Sequence, residues 1–268
     1  AIAQRVAESV VRAVPGALAV ALKGKDDEGE AIDSPDASAV DASQLIVVRF
    51  DRDQCTISVD SSGELLHRRG YRQAVARAPL RETLAATMLA AVRYDASRPL
   101  VDPFCGSGTV VIEAAMIARD IAPGLQRAFA AESWPETPRA VWREARDAAR
   151  ARIKPAAAAP LIGSDRDAGA IEAALANVER AGVRGDVEFV QRALSDLVVP
   201  AGPGLLLTNP PYGVRVGESG ALRDLFARFG HVVRAQCPGW RVAMLSGDRA
   251  LEGHTGLRFS EVLKTTNG

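Results

Sequence analysis

Apolar positions along this chain of 268 residues follow two different rhythms. In the first stretch Ile2, Val6, Val10 and Ala13 recur at helical spacing, until Pro15 and Gly16 stop the pattern. Residues 23–44 (KGKDDEGEAIDSPDASAVDASQ) are acidic, rich in Ser, Asp and Ala, and without period, which predicts a flexible loop or an insertion. Two strand-like runs follow, Leu45–Phe50 and Cys55–Val59, joined by the polar turn DRDQ, and they read as a hairpin. Together with the first helix they predict a small α+β module within residues 1–75.

From Pro79 the rhythm changes. Leu80, Leu84, Met88 and Val92 mark one face of a helix, and strands and helices then alternate. The pattern predicts strands at Pro99–Asp102, Leu161–Ser164, Val187–Val190, Gly204–Thr208 and Trp240–Ser246, with helices at Thr109–Arg119, Ala168–Ala181 and Ala221–Gln236. Strands alternating with helices imply βαβ units, hence a mostly parallel sheet with helices on both faces, here over residues 76–268. ARIKPAAAAP, residues 151–160, reads as a low-complexity connector. The chain opens without Met inside a helical pattern and closes on Asn-Gly, a hairpin signal with no return strand after it. A preceding piece and a further C-terminal strand are therefore expected.

Composition narrows the function classes. Basic and acidic residues balance at 33 each, so any nucleic-acid contact must rest on local patches rather than on net charge. The apolar stretches are broken well short of the roughly 20 residues a membrane span needs, and no basic, then apolar, leader opens the chain. The chain reads as cytoplasmic. Cys55, Cys105 and Cys237 lie far apart with no CxxC pair, so neither a zinc site nor a disulfide framework is indicated. His67, His231 and His254 form no triad or metal spacing.

Three motifs carry candidate chemistry. VDPFCGSGT places Asp102 at a strand end, Gly106 and Gly108 in the turn after it, and Thr109 at the start of a helix. In open parallel sheets such a turn lets backbone approach a ligand closely, and Asp102 supplies negative charge for a cationic amino acid. The third glycine of a dinucleotide fingerprint is absent, and an ordinary strand-to-helix turn also fits. In LIGSDRD, Asp165 ends the next strand, where an acidic residue hydrogen-bonds ribose hydroxyls; Asp165 or Asp167 also suits a helix cap. TNPPYG follows the apolar run Leu205–Leu207. Pro210 and Pro211 lack backbone donors, so the ladder stops there while their carbonyls remain acceptors. Asn209 adds an amide oxygen and Tyr212 a flat ring, a set suited to a planar amine.

DPFCGSGT, GSD and NPPYG, in this order on alternating strands and helices, resemble an S-adenosylmethionine-dependent amino-methyltransferase of the (Asp/Asn/Ser)-Pro-Pro-aromatic class, with a Rossmann-like class I methyltransferase sheet. VDSSGELLHRRGYRQAVARAPLRETLAATML, with Arg215 in NPPYGVRVG, resembles the junction between a THUMP domain and the catalytic domain of RNA guanine methyltransferases. This resemblance implies a partial THUMP-like module in residues 1–75. It places Asp102, Gly106, Gly108 and Thr109 around the methionine part of the cofactor and Asp165 at its ribose. It gives Asn209 and the Pro210 carbonyl to an exocyclic amine, Pro211 to rigidity of the loop, and Tyr212 to stacking on the base. The family usually carries an Asp near the end of the third strand, facing adenine; this chain has Ala193 there, with Asp196 nearby.

An RNA substrate calls for basic surface. Arg68, Arg69, Arg72, Arg77 and Arg81 cluster in the junction, and Arg68, Arg69, Arg72 and Arg215 are the candidate RNA contacts. Arg139, Arg143, Arg146 and Arg150 form a second, helical stripe, for which a solvated face is as good a reading. The expected activity is methyl transfer to the exocyclic amine of a guanine in RNA, with ribosomal RNA preferred over transfer RNA and no metal required. Adenine in DNA, a protein glutamine, and a non-catalytic RNA-binding role are the alternatives.

Overall fold

The computed structural model describes residues 2–13, 44–73, 80–134, 136–211 and 219–265. Most of the acidic stretch, Arg77, Tyr212, Arg215 and the closing Asn-Gly lie outside the described residues. The chain divides into two compact units.

Of the described residues, the first unit comprises those up to Glu64 together with those of 129–138. It contains helix α1 (Ile2–Ala13) and an antiparallel hairpin of β1 (Ile46–Asp51) and β2 (Gln54–Val59). The two-residue turn places Arg52 and Asp53 at φ of 43° and 63°, the left-handed pair that matches strand twist in tight hairpins. Cross-strand register sets Ile46, Val48 and Phe50 beside Val59, Ile57 and Cys55 on one apolar face, while the other is polar apart from Val47. Residues 129–138 join through the Ala131 N–H to the Ser61 carbonyl and the Trp134 indole N–H to Gln44.

The second unit holds residues 65–128 and 139–267. Residues 65–73, placed with the first module by the sequence pattern, thus pack with the sheet. Its elements are α2 (Glu82–Ala91), β3 (Leu100–Asp102), α3 (Thr109–Ala118), α4 (Arg139–Ala151), β4 (Leu161–Asp165), α5 (Ala168–Ala181), β5 (Val187–Gln191), β6 (Leu205–Thr208), α6 (Ser219–Gln236), β7 (Arg241–Met244) and α7 (Arg249–His254). The five strands are parallel in the order β5-β4-β3-β6-β7. Successive strand residues face opposite sides, and the core divides accordingly. Leu100, Leu205 and Leu207 pack with α2, α3 and α5, whereas Val101 and Leu206 pack with Phe229, Val232 and Val233 of α6.

Local chemistry explains the element ends. Asp167 caps α5 by accepting the Gly169 N–H at 2.8 Å, and Gly182, at φ 71°, closes it in the left-handed region. Asp248 caps α7 in the same way through the Ala250 N–H. This one-and-a-half-turn helix is too short to leave a period in the sequence. Gly163 is required by proximity: a Cβ there would lie 2.5 Å from the Phe189 ring and 3.1 Å from Cys105. Gly163→Ala is therefore expected to lower stability by about 1–3 kcal/mol in chemical unfolding. Part of that loss should vanish in a Phe189→Leu background, which a double-mutant cycle measures.

Candidate functional site

Strands β4 and β5 extend the sheet to one side of β3, while β6 and β7 extend it to the other. The order reverses between β3 and β6, and the carboxyl ends of those two strands are where such sheets bind ligands. Asp102 ends β3 and the 106–109 turn follows it, Asn209 follows β6, and Asp165 ends the neighbouring β4.

Asp102 is 1% exposed, yet carries a carboxyl group. Its Oδ1 accepts the Thr208 hydroxyl at 2.5 Å and the Phe104 N–H at 3.1 Å. Burial pushes its pKa up to about 7, against the lowering effect of those two donors, and the charge of Asp165 adds to the rise. Thr208 belongs to β6, so this bond also ties the ends of β3 and β6 together. Nothing local marks Thr208 for this role, because a Thr ending a strand carries no signal of its partner 106 residues away.

The turn after Asp102 is held from two sides. Gly106 and Gly108 have φ of 52° and 86°, where side chains with a Cβ are disfavoured. At Gly108 a Cβ would also lie 2.6 Å from the Phe189 ring. The Gly106 N–H donates to Asp165 Oδ2 at 3.1 Å, and the Asp167 N–H to Asp165 Oδ1 at 3.0 Å. Asp165 thus organises the turn, while the capping of α5 falls to Asp167. Thr109 is buried in the first turn of α3, and burial pushes the Cys105 thiol well above its ordinary range.

Directly after β6, Asn209 is half-buried, and its Oδ1 is buried with no hydrogen-bond partner among the described residues. A buried amide oxygen left so is costly unless something donates to it. Pro210 is buried and Pro211 exposed. Ala193 and Asp196 are both exposed, and the Asp196 N–H donates to the Ala193 carbonyl around the short turn after β5.

Two of the four arginines offered to RNA turn inward. Arg69, 8% exposed, pairs with Glu113 at 2.9 Å, and Arg72 pairs with the buried Glu82 at 2.9 Å. The expectation that they face a polyanion is corrected by these pairings; Arg68 alone of the described three is exposed. Glu113 also accepts the Tyr71 hydroxyl at 2.9 Å, and burial raises its pKa to about 7 against the pull of Arg69 and Tyr71. A lone carboxylate within the apolar TVVIEAAMIA of α3 was the signal for this cluster. Arg146 of the α4 stripe donates to the Leu125 and Arg127 carbonyls.

Among the described residues no group of three His, Cys, Asp or Glu side chains stands close enough to hold a metal, and no helix is long and apolar enough to cross a membrane. An open groove of about 380 Å³, lined by Val199–Pro203, Gln236 and Pro238–Trp240, lies at the opposite, amino ends of β6 and β7. It contains no titratable group and takes no part in the site.

A five-stranded parallel sheet in this order, with acidic residues ending its first two strands and a glycine turn between, is the core of the class I methyltransferase fold. The family described as the RMKL-like methyltransferase domain matches residues 69–268, and the chain belongs to it. It is 40% identical over 255 residues to a ribosomal RNA large subunit methyltransferase K/L of Shewanella baltica, covering 93% of this chain and 36% of that protein. It is 38% identical over 235 residues to a candidate RNA methyltransferase of Synechocystis, covering 86% of this chain and 61% of that one. The chain therefore spans roughly a third to three fifths of the curated relatives it matches. Among solved structures, SMU.472, a candidate methyltransferase complexed with SAH, superposes with a TM-score of 0.76 at 32% identity, covering 81% of this chain and 57% of that one.

The inward arginines make a stability prediction. Arg69→Ala leaves Glu113 buried without its cation and is expected to cost about 3–5 kcal/mol in chemical unfolding. Arg68→Ala, at an exposed position, should stay within about 0.5 kcal/mol of the parent.

Proposed function

We propose that this chain carries the catalytic domain of an S-adenosylmethionine-dependent methyltransferase acting on the exocyclic amine of a guanine in RNA, ribosomal RNA in preference to transfer RNA. Residues 1–75 are read as part of a THUMP-like RNA-binding module, and the protein as a cytoplasmic one. The observation that carries the reading is the pair of groups at the ends of β3 and β6. A buried carboxylate, Asp102, ends one strand, and a buried amide oxygen without a partner among the described residues, Asn209 Oδ1, directly follows the neighbouring one.

The residues fit the cofactor. Asp102 suits the cationic amino-acid end, Gly106, Gly108 and Thr109 the close backbone approach, and Asp165 the ribose. The cofactor supplies a methyl group already activated on a sulfonium, so the task left to the protein is positioning. A guanine amine is a poor nucleophile because its lone pair is delocalised into the ring. Asn209 Oδ1 and the Pro210 carbonyl each accept one N–H, which turns the lone pair out of conjugation and stabilises positive charge developing on nitrogen. Tyr212 supports the base, and Pro211 keeps the loop rigid. No strong base is needed, because the nitrogen proton becomes acidic once the amine is alkylated. A base within folded RNA must be unstacked to reach this site, and Arg68 and Arg215 are the arginines assigned to RNA.

With the full-length protein, labelled methyl should pass to RNA and appear as N2-methylguanosine on nucleoside mass analysis. Label in DNA adenine or protein glutamine would redirect the reading. Asn209→Ala should lower the transfer rate by about 10²–10³ with cofactor affinity retained, and a folded variant of full activity would overturn the assignment.

Cofactor affinity should depend on pH through Asp102. Above about pH 7 the carboxylate is ionised and affinity is flat; below it, protonation weakens binding by up to about tenfold per unit. Asp102→Asn should bind weakly and without this slope, as calorimetric titration would show. The free protein has the opposite trend. A carboxyl raised from 3.8 to about 7 contributes stability at acid pH that is lost as pH rises through 7.

A further inference from the structure

Beneath the glycine turn runs a chain of buried polar contacts that the reaction does not itself use. Asn177, on α5 and 0% exposed, donates its side-chain N–H to the Ser107 carbonyl at 3.0 Å. Its Oδ1 accepts from Arg180, whose Nε–H donates to the Tyr71 carbonyl at 2.8 Å. Tyr71, 1% exposed, donates its hydroxyl to Glu113, the partner of Arg69. Contacts thus run unbroken from Arg69 and Tyr71, ahead of the sheet, to the carbonyl between the two glycines.

We propose that Asn177 and Arg180 are positioning residues for the cofactor turn, holding the Ser107 carbonyl so that Gly106 and Gly108 keep their left-handed shape, and tying that shape to the Arg69–Tyr71 segment. The proposal rests on the methyltransferase reading above. Glycines enter and leave the left-handed region at little steric cost, so a turn built on two of them needs restraint from outside. Asp165 restrains the N–H at its start, and Asn177 the carbonyl at its middle. Apolar contacts already pack these helices: Val110, Val111, Ile112, Ile171 and Val178 belong to one buried cluster. A fully buried amide adds little to that packing. It does select one geometry, because its partners must stand where its donors and acceptor point.

The experiment uses the full-length protein, S-adenosylhomocysteine as probe, and amide exchange of the turn without ligand. Asn177→Asp keeps the acceptor for Arg180 at nearly constant volume but turns an oxygen toward the Ser107 carbonyl. Arg180→Met, at a half-buried position, breaks the chain one link further out and keeps the test open where Asn177→Asp fails to fold. Both should speed exchange at Gly106 and Gly108 and raise the Kd about tenfold, with the KM for RNA unchanged. Val232→Ala, in the core on the other sheet face, serves as a destabilised control that leaves the exchange and the Kd as in the parent. Parental exchange and affinity in the folded variants overturn the positioning role while leaving the methyltransferase reading standing. A tenfold weaker Kd in Val232→Ala does the same. A parent protein that binds no probe overturns that reading, and the proposal with it.

Discussion

Much of the second unit is organised around one costly placement, a carboxyl group buried at the end of the central strand. Asp102 is acceptable there only because Thr208 and the Phe104 N–H donate to it, and because burial itself pushes its proton affinity up toward neutrality. The hydroxyl comes from the neighbouring strand, so satisfying the charge and closing the seam between β3 and β6 are one event. That seam is also where the strand order reverses. Electrostatic need and sheet topology therefore converge on the place where a ligand with a positive end fits.

Around this point the structure separates two kinds of polar group. One kind is buried and has no partner among the described residues, as the Asn209 amide oxygen is. The other is satisfied internally: Asn177 on the Ser107 carbonyl, and Arg69 and Arg72 on Glu113 and Glu82, while Asp165 stands between the two, accepting the Gly106 N–H at the site itself. Arginine serves well in the second role, because its charge persists and its fork reaches several acceptors from a buried stem.

Most β-strands and helices of the second unit were legible because each carries an apolar run or period; α7, only six residues long, does not. Strand and helix bounds shift by only a few residues from the expected ones, with β7 ending at Met244 rather than Ser246. The residues at the site were legible for a related reason, since Asp102, Gly106, Gly108, Asp165 and Asn209 sit at strand ends where local pattern stops. What could not be read was pairing. HRRGYR shows a basic patch, and only the fold reveals that Arg69 and Arg72 meet carboxylates supplied by α3 and α2. Thr208, Asn177 and Arg180 act on partners 106, 70 and 109 residues away, and nothing in their own neighbourhoods marks them.

Those separations also govern time. The Asp102–Thr208 bond closes a loop of more than a hundred residues, and the two sides of the crevice belong to strands made far apart on the chain. Loops of that length are slow to close, and a nascent chain that has reached only β5 lacks the strand that completes the seam. The seam between β3 and β6 therefore cannot close before β6 has been made, after β3, β4 and β5. A chain that ends at β5 carries the residues of the glycine turn but not the strand that pairs with β3 on its other side.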